Sequence, residues 1–162
     1  MVQERLPEVT IYTDGACTGN PGPGAYGVVM IYKNARKELS RGFRKTTNNR
    51  MELMGLIAGL SSLQERCQVT LYTDSKYVAD SITQGWAARW QAQGWRRTKK
   101  EKALNTDLWE KLLTLVGEHQ VNVVWVKGHA GNPENERADA IAVQTIKSKN
   151  LAIDEIYETQ VK

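Results

Sequence analysis

Asp14 and Asp74 each close a β-rich run that arrives with the same tripeptide, Tyr-Thr-Asp. If the two runs are neighbouring strands ending at one edge of a sheet, their carboxylates stand side by side. Like charges so placed raise each other's proton affinity unless a cation neutralises them. Glu52, in the first turn of one helix, and Asp139, in the last turn of another, could supplement the pair from opposite sides. Four carboxylates without a histidine-rich or cysteine-rich ligand set suit a hard, oxygen-seeking ion, Mg2+ first and Mn2+ second, rather than zinc. The same residues also admit a blander reading, in which each acid faces water or, for Asp14 and Asp74, begins a turn or caps a helix. Spacing alone leaves both open.

A second constellation is cationic. Between Trp86 and Lys102 lie Arg89, Arg96, Arg97, Lys99, Lys100 and Lys102 against the single acid Glu101, a local net charge of +5 that leaves −1 for the rest of the chain. Trp86, Trp90 and Trp95 are interleaved with these charges. Indoles packed inward under solvated charges would be an ordinary amphipathic helix. A basic protrusion gripping one nucleic-acid backbone is favoured, because the cationic excess sits beside large apolar surfaces.

The elements that must position these groups follow from periodicity. Glu8 to Thr13 alternates as a strand, the Gly/Pro-rich stretch from Gly15 to Gly24 reads as a long turn, and Tyr26 to Tyr32 and Glu38 to Lys45 supply two further strands of an antiparallel meander. From Asn49, Met51, Leu53, Met54, Ile57, Ala58, Leu60 and Leu63 recur at helical steps, with Asn48 or Asn49 as the expected cap. Val69 to Thr73 is a fourth strand followed by a helix over Ser75 to Gln84. Leu108 to Val116 marks another helix, Val121 to Val126 a fifth strand, and Glu134 onward a last helix. The order β-β-β-α-β-α-α-β-α implies an α/β domain, a mixed sheet with helices packed on it.

The 162 residues amount to about one domain. A core of that size folds without metal or disulfide, so a metal here would serve chemistry. No apolar run approaches the roughly 20 residues that span a bilayer, and the N-terminal residues hold no secretion signal, so a cytoplasmic protein is expected. Cys17 and Cys67 lack zinc-ligand spacing and are expected to be thiols. No heptad pattern signals assembly, so a monomer is expected. Residues 1–149 are read as a single catalytic domain and 150–162 as a mobile tail without assigned function.

Four motifs, Tyr12-Thr-Asp-Gly-Ala-Cys-Thr-Gly-Asn-Pro-Gly-Pro-Gly24, Thr46-Thr-Asn-Asn-Arg-Met-Glu-Leu53, Tyr72-Thr-Asp-Ser75 and Val126-Lys-Gly-His-Ala-Gly-Asn-Pro-Glu-Asn-Glu-Arg-Ala-Asp139, stand in the same order and with similar separations as in bacterial type 1 ribonuclease H. The chain resembles that family from about Val9 to Ile146. The resemblance implies a ribonuclease H-like fold, a five-stranded mixed sheet of order 3-2-1-4-5 flanked by helices. It also implies an endoribonuclease that hydrolyses the RNA strand of an RNA/DNA hybrid by a two-metal mechanism, leaving a 5′-phosphate and a 3′-hydroxyl.

By motif, Asp14, Glu52, Asp74 and Asp139 match the family's acidic quartet, with Asp14 as the bridge between ions. His129 matches a residue of proton transfer or product departure, and Glu136, three positions before Asp139, one that tunes the metal site. The resemblance offers Cys17, Asn20, Thr47, Asn48, Gln84 and Asn135 as contacts to the minor groove or a DNA phosphate. It places Trp86, Arg89, Trp90, Arg96 and Lys99 on the DNA-binding protrusion. Asn132, where many relatives carry a second histidine, and Ala138, where a cysteine is common, depart from the pattern without touching the quartet. A hybrid-binding module without turnover and a DNA resolvase or integrase of the same broad fold remain as competing readings.

Overall fold

The computed structural model describes residues 5–128 and 131–160. Alternation in the first strand sets the two faces of the sheet. In β1 (Glu8–Cys17), Val9, Ile11 and Thr13 point to one side and are buried, while Tyr12 points to the other. β1 pairs antiparallel with β2 (Gly22–Tyr32), which pairs antiparallel with β3 (Ala35–Thr46). On its other side β1 pairs in parallel with β4 (Gln68–Thr73), and β4 in parallel with β5 (Gln120–Trp125). Parallel neighbours need crossovers. Here they are α1 (Asn48–Ser61) before β4, and α2 (Lys76–Thr83), α3 (Trp86–Ala92) and α4 (Thr106–Glu118) before β5.

The five expected strands and their order are present, but the sheet has six strands, β5-β4-β1-β2-β3-β6. The sixth, β6 (Leu151–Ala152), pairs in parallel with β3 and is followed by α6 (Glu155–Gln160). Residues 151–160 are therefore packed elements of the fold, not the mobile tail that their scattered apolar residues suggested. The reason is a buried ion cluster that composition cannot reveal. Arg50, only 1% exposed on α1, donates through Nε and Nη2 to Asp154 at 2.7 and 3.0 Å and through Nη1 and Nη2 to Asp107 of α4 at 3.0 and 2.8 Å. The Thr46 hydroxyl donates to the same Asp154 at 2.8 Å.

The larger core lies between the sheet and α1, α2 and α4: Ile11, Val28, Leu53, Leu56, Val69, Leu71, Val78, Trp109 and Leu112 are all buried within it. The smaller lies on the opposite face, where α5 (Pro133–Lys147) sets Ala138 and Ile141 against Val29.

Several boundaries differ from their expected positions for local reasons. The long turn shrinks to residues 18–21, because Gly15 to Cys17 continue β1 opposite Gly24 to Tyr26. Lys33 and Asn34 alone join β2 to β3, with Lys33 at φ +53°. Thr47, not Asn48 or Asn49, caps α1, its hydroxyl accepting from the Arg50 amide at 3.2 Å. Among the described residues no helix is long and apolar enough to cross a membrane.

Candidate active site

The β1/β4 register ends on the pair Thr13 and Thr73, so Asp14, still within β1, and Asp74, just past the end of β4, follow at the same level of adjacent parallel strands. Glu52 reaches them because α1 lies directly on Gly15. A Cβ at Gly15 would stand 2.7 Å from the Glu52 amide nitrogen, nearer than any side chain tolerates. The amide of Gly15 donates to Asp14 Oδ1 at 2.9 Å and to Glu52 Oε1 at 3.1 Å, tying two acids to one peptide. Asp14, Glu52 and Asp74 each place an oxygen within 4.8 Å of the others.

Glu52 is 3% exposed and its Oε2 has no hydrogen-bond partner. Burial, together with the neighbouring Glu52 and Asp74 charges, pushes the Asp14 carboxyl far above the ordinary carboxylate range. Burial and Asp74 push Glu52 up as well, against the Gly15 hydrogen bond that lowers it. No lysine or arginine pairs with these acids among the described residues. A buried, mutually repelling oxygen cluster with an orphaned carboxylate oxygen is what a hard divalent cation satisfies, and the donor set fits one.

Asp139 sits in the middle of α5 rather than its last turn. It stands beside Asp14 and shares in raising its proton affinity, but lies outside the 4.8 Å group of three. Glu136 is exposed one turn earlier on the same helix. Asn132 has a structural task in place of histidine chemistry: it caps α5, its side-chain oxygen accepting from the amides of Glu134 and Asn135 at 3.2 and 3.1 Å. Ala138 is buried on the face of α5 that packs against the sheet. His129 lies outside the described residues.

The turn before β2 and the start of α1 gather four of the expected substrate contacts. Asn20 Oδ1 accepts from the Asn48 amide at 3.1 Å, Thr47 is the cap, and the Cys17 thiol donates to the Gly19 carbonyl at 2.8 Å. Asn135 is buried, and its side-chain oxygen is unpartnered. Gln84 ends α2, and Arg89, Arg96 and Lys99 are exposed on α3 and the following loop, with Trp86 at their base.

Trp90 does not belong with them. It is 8% exposed and packs against Tyr77 and Trp109 at centroid distances of 6.4 and 6.0 Å. It anchors the protrusion in the core. The sequence does not anticipate Trp125 beside Asp74: it is 45% exposed there, and its indole N–H donates to the Asp74 carbonyl at 3.1 Å. A tryptophan ending a strand level with Tyr72-Thr-Asp74 was the available signal.

The RNase H family model matches residues 7–147. The chain belongs to the ribonuclease H family. It is 64% identical over 149 residues to the Ribonuclease H of Desulforamulus reducens, covering 92% of this chain and 94% of that one. Against the Ribonuclease HI of Synechocystis identity is 58% over 148 residues, covering 91% and 92%. The structure of LC9-RNase H1, described as a type 1 RNase H with the type 2 active-site motif, superposes with a TM-score of 0.81 at 32% identity, covering 92% of this chain and 76% of that one. LC11-RNase H1, solved in complex with an RNA/DNA hybrid, superposes with a TM-score of 0.67 at 25% identity, covering 86% and 97%. Ribonuclease H enzymes are metal-dependent nucleases, and the carboxylate cluster stands where such chemistry needs oxygen ligands.

Proposed function

We propose that the chain is an endonuclease that hydrolyses the RNA strand of RNA/DNA hybrids and leaves a 5′-phosphate and a 3′-hydroxyl. The observation that carries this is the convergence of Asp14, Glu52 and Asp74 within 4.8 Å at one sheet edge, with no cationic side chain paired to them among the described residues. Asp14, Glu52, Asp74 and Asp139 would hold two magnesium ions, with manganese as a substitute. Such ions supply an activated water nucleophile and stabilise the charge that develops on the leaving 3′ oxygen.

The protein's own part is positional. The Gly15 amide fixes the carboxylate orientations of Asp14 and Glu52, and Asp14 would be the carboxylate shared by the two ions. His129, which lies between two glycines in the sequence Lys127-Gly-His-Ala-Gly131, takes part in proton transfer or product departure, and Glu136 tunes the metal site. Asn20, Thr47, Asn48 and Cys17 line one substrate approach, and Trp86, Arg89, Arg96 and Lys99 another. Contacts to 2′-hydroxyls, present only on RNA, select the strand that is cut. The enzyme acts as a monomer in the cytoplasm.

The test is cleavage of an end-labelled hybrid with and without magnesium, with double-stranded RNA and double-stranded DNA in parallel. Asp74→Asn controls for contaminating nuclease. Hybrid cut only with metal, and only by the unsubstituted chain, is the expected result. Binding without cleavage would favour a hybrid-binding module, and cutting of the DNA duplex a resolvase-like enzyme.

A further inference from the structure

Lys76 is the first residue of α2. A cation is disfavoured there, because the helix dipole places partial positive charge at that end. The cap is otherwise well made, with the Ser75 hydroxyl accepting from the Val78 amide at 3.3 Å. Lys76 is exposed and forms no ion pair among the described residues, although Asp74 lies two positions before it. Its ammonium instead lies over the Trp125 ring, 5.8 Å from the centroid.

Trp125 is itself held. It ends β5 opposite Thr73, and its indole N–H is bonded to the carbonyl of Asp74. One residue on, the Val126 amide donates to the Thr73 carbonyl at 2.9 Å, which locks the strand end that carries the ring. An exposed indole and an ammonium placed against its helix dipole are each locally unfavourable. Such conflicts concentrate at functional positions.

We propose that Trp125 is a positioning residue that holds the Lys76 ammonium at the lip of the carboxylate site, where it meets a backbone phosphate of the substrate flanking the bond to be cut. The inference rests on the functional reading above. An anion is the partner that resolves the conflict: it pairs with the ammonium and favours the same helix end. The indole face supplies the hold through its quadrupole, and the bond to Asp74 fixes the ring relative to the carboxylates.

The test is a double-substitution cycle on the full chain. Dissociation constants for a labelled RNA/DNA hybrid are measured in chelator, so that binding is read apart from metal-dependent turnover, and KM and kcat are measured in magnesium. Trp125→Phe keeps an aromatic face and loses the N–H; Trp125→Leu keeps bulk and loses both. Lys76→Ala is expected to raise Kd several-fold and to reduce the slope of log K against log salt by about 1.

Trp125→Leu is expected to raise Kd and KM about two- to fivefold. Trp125→Phe stays closer to the unsubstituted chain in both. In the Lys76→Ala background, Trp125→Leu should add little further to Kd, which is the mark of coupling. Additive effects of the two substitutions, or an unchanged Kd in folded Trp125→Leu, overturn the proposal. A variant that merely loosened the fold would lower Tm without this coupling or this salt response. Failure of the unsubstituted chain to cleave hybrid would overturn the functional reading instead, while the chelator measurements still decide the Lys76–Trp125 pair.

Discussion

Asp14 on β1 faces Gly27 on β2 across the antiparallel ladder, and Gly27 is where α5 touches the sheet. A Cβ at Gly27 would stand 2.1 Å from the carbonyl oxygen of Ala138, the residue before Asp139. The missing side chain therefore brings the last acid of the quartet to the first.

Gly27→Ala should separate these acids. Two atoms cannot share that space, so α5 must lift from β2, at a cost of about 1–3 kcal/mol or more for overpacking. Activity is expected to fall by more than the stability loss accounts for, because Asp139 moves away from Asp14. Urea midpoints and turnover on a labelled hybrid, measured on the same preparation, check this.

Asp14→Asn should leave a folded protein that is more stable than the unsubstituted chain without metal, and inactive with it. Folding the native chain must either bury the Asp14 charge against Glu52 and Asp74 or hold a proton on it, and an amide needs neither, with a gain of about 1–3 kcal/mol. Thermal melts in chelator report the stability. Near-normal cleavage by the folded variant would remove Asp14 from the metal site.

Stability of the metal-free protein should fall as pH rises. The Asp14 and Glu52 carboxyls are pushed above their ordinary range by burial and by their acidic neighbours. The folded chain therefore keeps protons that the unfolded chain releases from about pH 4 upward, and the stability they contribute is lost as pH climbs toward the raised folded values. Melts between pH 5 and 9 in chelator should slope downward, less steeply in Asp14→Asn, and magnesium should flatten them by neutralising the cluster.

Asp154→Ala should destabilise by about 3 kcal/mol, since it leaves Arg50 buried with half of its carboxylate partners. The readout is the urea midpoint. A change near zero would mean that β6 and α6 are not held by this pair.

Trp90→Ala and Lys99→Ala should fail in different ways. The first opens a cavity among Tyr77 and Trp109 and costs about 3–5 kcal/mol. The second leaves the melting point within about 0.5 kcal/mol of the unsubstituted chain. It weakens hybrid binding and lowers the salt slope by about 1.

The strands could be read in the sequence because β-branched alternation and helical spacing are local signals, whereas their order across the sheet came from the resemblance of the four motifs to a known family. Asp14 and Asp74 could be paired because the same Tyr-Thr-Asp ends both runs. Trp90 could not be sorted from its exposed neighbours: alternating tryptophans and cations look alike whether a ring faces Trp109 or solvent. The cap of α1 was misplaced by one or two residues because Thr47, Asn48 and Asn49 are all competent caps, and only backbone geometry selects among them. Arg50 carried a faint signal, a cation on an otherwise apolar helical stripe, but its partners lie 57 and 104 positions away.

By itself, then, the sequence determined the element order and where its acids and its basic cluster stand along the chain, since each depends on residue type and short-range period, while motif resemblance grouped the four acids as one candidate site. Tertiary structure alone decided that Leu151 and Ala152 add a sixth strand and Glu155–Gln160 a last helix, that Trp90 is core, and that Trp125 and Lys76 flank Asp74. It also decided how closely the acids converge. Those outcomes depend on how near two helices come to the sheet at Gly15 and Gly27, and on which distant charges meet in a space that excludes water. Close approach and long-range burial leave no periodic trace along a chain.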